Sequence, residues 1–264
     1  KMAVELIISD FAEDNVVYLE LRTTPKNTSK MSKQEYLRCV LEVIQRCNET
    51  QMGLQVRLLP SIDRAQSVQE AESTLQTVLE MQQLFPNLIV GFDLSGNPSK
   101  GRFGDFLEIL EKIKSINLPL ALHCAEIDGN PEEIEQMIEL GMKRCGHGTF
   151  LSASHLKSLS RLGICVECCL TSNVKCATVS SYRDHHFGVL FQTPSHPEVA
   201  LCTDDSGVFD TTLSEELLQA VAAFSLDKEQ LYQLQLNAIK HSFAGEETKA
   251  VLYQKLNDFI KQKS

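Results

Sequence analysis

Along this chain, short runs of consecutive apolar residues alternate with stretches whose apolar positions recur every three or four residues. The short runs read as buried strands, at 16–21, 54–59, 88–94, 118–124, 144–148, 164–170 and 199–203. The longer stretches read as helices with recognisable ends. Ser32-Lys-Gln-Glu35 is a capping box that opens a helix carrying Tyr36, Val40 and Val43. Asn130-Pro131-Glu132-Glu133 offers an N-cap, a proline at the first helical position and two acids at the positive end of the helix dipole. That helix runs through Ile134 and Ile138 and is expected to stop at Gly141. A helix at 2–11 opens the chain, and helices at 214–224, 227–241 and 246–261 close it.

Strands and helices that alternate this regularly imply an α/β fold with a parallel sheet. Two arrangements compete, a TIM-type (β/α)8 barrel and a doubly wound sheet. Polar residues capable of chemistry follow most of the strands: Arg22-Thr23-Thr24, Asp63, Ser95-Gly96-Asn97, His123 with Glu126, His147, Thr171-Ser172-Asn173 and Asp204-Asp205. Barrel enzymes build their sites from the C-terminal ends of several strands, whereas a doubly wound sheet gathers ligand groups at one switch point. No G-x-G-x-x-G follows the first strand, so the barrel is favoured, as one domain over residues 1–264. The pattern holds seven strands where such a barrel needs about eight. The expectation is therefore that the first strand lies upstream of Lys1.

Composition narrows the classes of function. Of 264 residues, 43% are hydrophobic and 23% charged, the balance of a globular protein with a sizeable core. A net charge of −10 argues against nucleic acid or an anionic membrane as partner and leaves a small molecule. The nine cysteines are an odd number, several inside apolar runs, which suits a reducing compartment. With no membrane-length apolar run and no signal-peptide pattern, a monomer in the cytosol is expected.

His123 and Glu126 end an apolar strand, His147 ends the next, and an aspartate pair, Asp204-Asp205, follows the last. A single histidine at a strand end is ordinarily structural. Three such strand ends together suit a metal, since imidazole and carboxylate bind Zn²⁺ and leave room for water. Neighbouring strand residues point to opposite sides, so of the two acids one would face a metal and the other substrate or water. His147 lies between Gly146 and Gly148, which permit unusual backbone angles. Arg22, Thr23 and Thr24 offer donors suited to a phosphate, though a plain strand-to-loop transition reads equally well. Cys165-Val-Glu-Cys168 lies within a strand, where residues three apart face opposite ways, and is read as structural. The signature of cytidine-type zinc deaminases is absent. His185-His186, beside Arg183 and Asp184, reads as a solvated loop, and His155, His196 and His241 are treated alike.

With these residues assembled, the chain resembles the adenosine deaminase family of metal-dependent hydrolases. The resemblance rests on Leu-His123-Cys-Ala-Glu126, Gly146-His147-Gly148 and Thr203-Asp204-Asp205, with Phe92-Asp-Leu-Ser-Gly96 in support, and spans nearly the whole chain. It implies a (β/α)8 barrel with one zinc ion at its mouth, and hydrolysis at C6 of a purine. Zinc ligands would be His123 and Asp204. Glu126 would protonate purine N1, and His147 and Asp205 would orient and deprotonate the attacking water. Gly96 would hydrogen-bond the purine edge, and Asp63 would line the nucleotide pocket. In the branch that uses monophosphates, Arg22, Thr23 and Thr24 would meet the 5′-phosphate. The implied substrate is an N6-substituted purine nucleoside monophosphate, N6-methyl-AMP giving IMP and methylamine; the alternatives are adenosine itself, or an inactive shortened form. The family's H-x-H on its first strand has no counterpart in this sequence, which agrees with the missing strand expected above.

Overall fold

The computed structural model describes residues 1–50 and 53–263. Contacts divide the chain into two units, Lys1–Met142 and Lys143–Ser264.

The first unit runs α1 (Met2–Glu13), β1 (Tyr18–Thr23), α2 (Lys33–Glu49), β2 (Gln55–Asp63), α3 (Val68–Leu84), β3 (Asp93–Ser95), α4 (Phe103–Ser115), β4 (Ala121–Cys124) and α5 (Pro131–Leu140). β1 pairs in parallel with β2, Tyr18 opposite Gln55, and β2 pairs in parallel with β3, Ser61 opposite Asp93. A parallel bridge from Phe92 to Leu120 brings in the start of β4. The anticipated strand at 88–94 is split. Ile89 bridges to Leu58, and regular pairing resumes only at Asp93. Helices cover these strands, so Leu58, Leu59 and Ile62 of β2 are all buried, as the unbroken apolar run required.

The capping box of α2 forms as expected, with Ser32 and Glu35 each bonding the other's backbone. The apolar stripe of α2, from Leu37 through Ile44, is buried, as are Phe103, Phe106 and Ile109 of α4. Gly141 ends α5 in the left-handed conformation, φ 86°. Asn130 takes the N-cap position of α5 but makes no side-chain cap bond.

The second unit runs β5 (Arg144–His147), α6 (Ala153–Leu162), β6 (Cys165–Cys168), α7 (Leu170–Lys175), a 3-10 turn (Tyr182–Asp184), α8 (Phe187–Gln192), β7 (Val199–Leu201), α9 (Ser206–Phe209), α10 (Leu213–Phe224), α11 (Lys228–His241) and α12 (Glu246–Lys263). β5, β6 and β7 are parallel neighbours, with Cys145 opposite Val166 and Val166 opposite Val199. The strand expected at 164–170 ends two residues early, because Cys169 turns the chain and Leu170 opens α7. His155 is buried rather than solvated: it is the third residue of a capping box, and its Nδ1 accepts from the Ser152 N–H.

Seven strands are found among the described residues, where the apolar pattern placed them. Because strands within each unit run parallel, their C-terminal ends share one edge. No described helix is long and apolar enough to cross a membrane, and none of the nine cysteines is in a disulfide.

Candidate active site

In the first unit the strand ends carry Arg22, Thr23, Asp63, Gly96 and His123. Asp93, the first residue of β3, is fully buried. Its Oδ2 accepts from the Ser61 hydroxyl at 2.7 Å and lies 3.9 Å from the Arg22 guanidinium, while its Oδ1 meets His123 Nδ1 at 3.0 Å. Burial alone would raise the Asp93 pKa, but the charges of His123 and Arg22 outweigh it and hold the carboxyl at about 2. Burial alone would lower the His123 pKa, and Asp93 reverses that, to about 9. The bond fixes the ring: Nδ1–H donates to the carboxylate, so metal-binding capacity is directed to Nε2. Metal-ligating histidines commonly have this arrangement.

Glu126 follows in a turn opened by Ala125, whose φ of 55° is unusual for a residue with a side chain. With His123, Arg64, Pro98 and Asn130 it lines a small depression. Arg64 grips Glu133 of α5 with both guanidinium nitrogens, at 2.8 and 2.7 Å, and its Nε donates to the Lys100 carbonyl. This ties the helix after Glu126 to the loop before α4.

Thr23 Oγ1 lies 2.6 Å from the Tyr36 hydroxyl of α2, and Thr24 follows it, half-buried. Asp63 accepts the Ala65 N–H at 3.0 Å and faces Lys26 at 3.7 Å. Gly96 has φ 99°, and a Cβ there would land on Asp63 Oδ1. Gly96→Ala is thus expected to destabilise the protein by about 1–3 kcal/mol in denaturant unfolding. An unchanged midpoint would show that the turn relaxes freely.

In the second unit, His147, Cys169 and Asp204 converge. One ligand atom from each lies within 4.8 Å of the other two. His147 Nε2 is 3.9 Å from Asp204 Oδ2, and that oxygen also accepts from the Ser172 hydroxyl at 2.7 Å. His147 and Asp204 both have positive φ, 62° and 55°. Strained backbone of this kind collects at functional sites. Asp205 caps α9, its carbonyl accepting from Val208 and Phe209 N–H groups. Hydrogen bonding with Cys202, reinforced by burial, pushes the Cys169 thiol well up. Imidazole and carboxylate are donor types that zinc takes, which suits Asp204 to holding that ion with His147 alongside it.

Several contributors carried no assigned role in the sequence. Asp93 lay unmarked inside Phe92-Asp-Leu-Ser-Gly96, and Cys169 was masked by a strand expected to run past it. His185 and His186 are corrected outright. Far from forming a solvated loop, His185 is 2% exposed and the two rings stack at 4.1 Å. Burial pushes the His185 pKa down to about 3 and lowers that of His186.

A family model described as Adenosine deaminase matches residues 1–259. The chain is 48% identical over 259 residues to the Adenosine deaminase-like protein of Drosophila melanogaster, covering 98% of this chain and 76% of that protein. The apo structure of the N6-methyl-AMP deaminase from Arabidopsis thaliana aligns with a TM-score of 0.88 at 39% identity, covering 97% of this chain and 76% of that one. Arabidopsis ADAL complexed with IMP aligns equally well, again at 0.88 and 39%. A Burkholderia ambifaria amidohydrolase with bound Zn, 17% identical, shares the fold with a TM-score of 0.85, covering 98% of this chain and 73% of that one. The parallel (β/α) units agree with the TIM-type α/β fold expected from the sequence.

Proposed function

The chain belongs to the adenosine deaminase family, and from that premise we propose that it hydrolyses the C6 amine of N6-substituted purine nucleoside monophosphates, converting N6-methyl-AMP to IMP and methylamine. The observation that carries this reading is the Asp93–His123 pair, which orients an imidazole beside an acid, Glu126, and so supports a metal-binding role for His123. A relative named N6-methyl-AMP deaminase, and Arabidopsis ADAL complexed with IMP, support the substrate.

The family is metal-dependent, and we assign His123 and Asp204 as ligands of one zinc ion per chain. When bound, zinc acidifies water, lowering its pKa from about 15.7 to roughly 7. Glu126 donates a proton to purine N1 as charge develops on the ring. His147 and Asp205 orient the attacking water and take its proton. Gly96 hydrogen-bonds the purine edge through its backbone. Arg22, Thr23 and Thr24 hold the 5′-phosphate, and Asp63 lines the nucleotide pocket. The family match runs unbroken over 1–259, which supports a single deaminase domain over residues 1–264. The acidic surface and buried thiols support a cytosolic monomer acting on a small molecule.

Replacing Thr23 and Thr24 together by valine tests the substrate. Two hydroxyl bonds to a charged phosphate are worth enough to raise KM for N6-methyl-AMP about 10²-fold. Turnover of the free nucleoside should barely change. Tyr36→Phe controls for the lost Thr23–Tyr36 contact. Equal losses on nucleotide and nucleoside would favour adenosine as the substrate.

A further inference from the structure

We propose that His186 is a positioning residue for His147: its Nε2–H, donated to the His147 carbonyl, holds the strained turn that aims the His147 imidazole. This rests on the reading above, in which His147 acts on the attacking water.

The turn itself shows why a brace is needed. The Gly148 N–H bonds back to the Gly146 carbonyl at 2.8 Å, closing a three-residue turn with His147 at its centre. His147 has φ 62°, and Gly148 also has φ 62°. A three-residue turn with positive φ at its centre is the rare, strained form. Gly148 is confined as well, because a Cβ there would meet Val166 Cγ1 at 2.8 Å and Leu151 Cδ1 at 2.9 Å. A histidine kept in such a turn needs its peptide held from outside.

His186 supplies that hold at 2.7 Å. A carbonyl oxygen only accepts, so Nε2 carries the proton. His186 Nδ1 agrees, being buried and meeting no hydrogen-bond partner among the described residues. The His186 ring is fixed in turn by His185, stacked on it with an interplanar angle of 22°.

His185 has its own tautomer decided by its neighbours. Its Nδ1 accepts the Phe187 N–H at 3.0 Å, so its Nε2–H donates to Asn173 Oδ1 at 3.1 Å. Asn173 Nδ2 then donates to Thr149 Oγ1 at 3.3 Å and Thr178 Oγ1 at 2.9 Å. The histidine pair thus reaches the turn twice, at the His147 carbonyl directly and at Thr149 through Asn173. A phenylalanine at 186 would fill a similar space but offer no donor.

The test uses the zinc-supplied protein carrying this chain, with N6-methyl-AMP as substrate. His186→Phe is expected to fold, as read by thermal melting, and to lose roughly 10–100-fold in kcat with KM within about twofold, the scale of a small misplacement of a reacting group. His186→Gln keeps an N–H donor and should recover to within about fivefold of the parent. In a His147→Ala background, His186→Phe should cost nothing further, because the two act through one group.

A folded His186→Phe with parental kcat overturns the inference. So does a loss that adds in full to that of His147→Ala. Should His186→Phe not fold, His186→Gln decides alone: recovery supports the brace, and a folded variant that has lost as much as 100-fold refutes it. If His147→Ala itself keeps full turnover, the role given to His147 falls first, and that outcome is distinct from the others.

Discussion

Glu126→Gln should lower kcat on N6-methyl-AMP about 10³-fold while leaving the melting temperature and KM nearly unchanged. Water adding at C6 pushes negative charge onto N1, and a positioned acid that protonates it contributes roughly 10²–10⁴-fold. Glutamine keeps the shape and can still donate a hydrogen bond, but it has no proton to transfer. Glu126 is half-buried in the turn after β4, and glutamine matches its size, so the fold should survive. Steady-state kinetics with a parallel thermal melt checks this. A kcat within tenfold of the parent would remove Glu126 from the chemistry.

Asp93→Ala should produce the largest loss of stability, about 3–5 kcal/mol, the cost of removing one partner from a buried ion pair. Asp93 is fully buried and stands against His123, Arg22 and the Ser61 hydroxyl, so the change removes a charged partner or acceptor from three groups at once. Denaturant unfolding measures it. Zinc affinity should fall as well, by roughly 10–100-fold, because the bond that orients His123 is gone.

The pair also gives metal-free protein a pH signature. The Asp93 pKa is depressed from 3.8 to about 2, so its contribution is present above pH 3.8 and lost as pH falls through about 2. The His123 pKa is raised from 6.5 to about 9, so its contribution is full below pH 6.5 and lost as pH rises through about 9. The pair therefore stabilises most between roughly pH 4 and 6.5, and Asp93→Ala should flatten both flanks. A stability loss under 1 kcal/mol, or an unchanged pH profile, would contradict this account.

Much of the framework was legible from local pattern. Buried parallel strands announce themselves as unbroken apolar runs, and the Ser32–Glu35 box, Pro131 and Gly141 marked helix ends that the structure keeps. The residues following the strands could be picked out because polar groups have no ordinary reason to cluster where apolar runs stop. What escaped notice was decided by tertiary contacts. Nothing local says that Asp93 is the one buried acid in its strand, held by Ser61 of the adjoining β2 and Arg22 of β1. The charged neighbours Arg183 and Asp184 made His185-His186 read as solvated, yet the pair turns inward on Asn173 and His147. His155 hid because its capping box uses histidine where glutamate or glutamine is the familiar partner. Helices α7, α8 and α9, of 6, 6 and 4 residues, are too short to show a helical period.

The most direct test is the product formed from N6-methyl-AMP by the protein carrying this chain, before and after chelation, and again after zinc is returned. The account predicts IMP and methylamine in equal amounts, production that stops with chelator and resumes with zinc, and no recovery in Glu126→Gln. Undiminished IMP release under full chelation, or no IMP from zinc-loaded protein that still deaminates free adenosine, would contradict it.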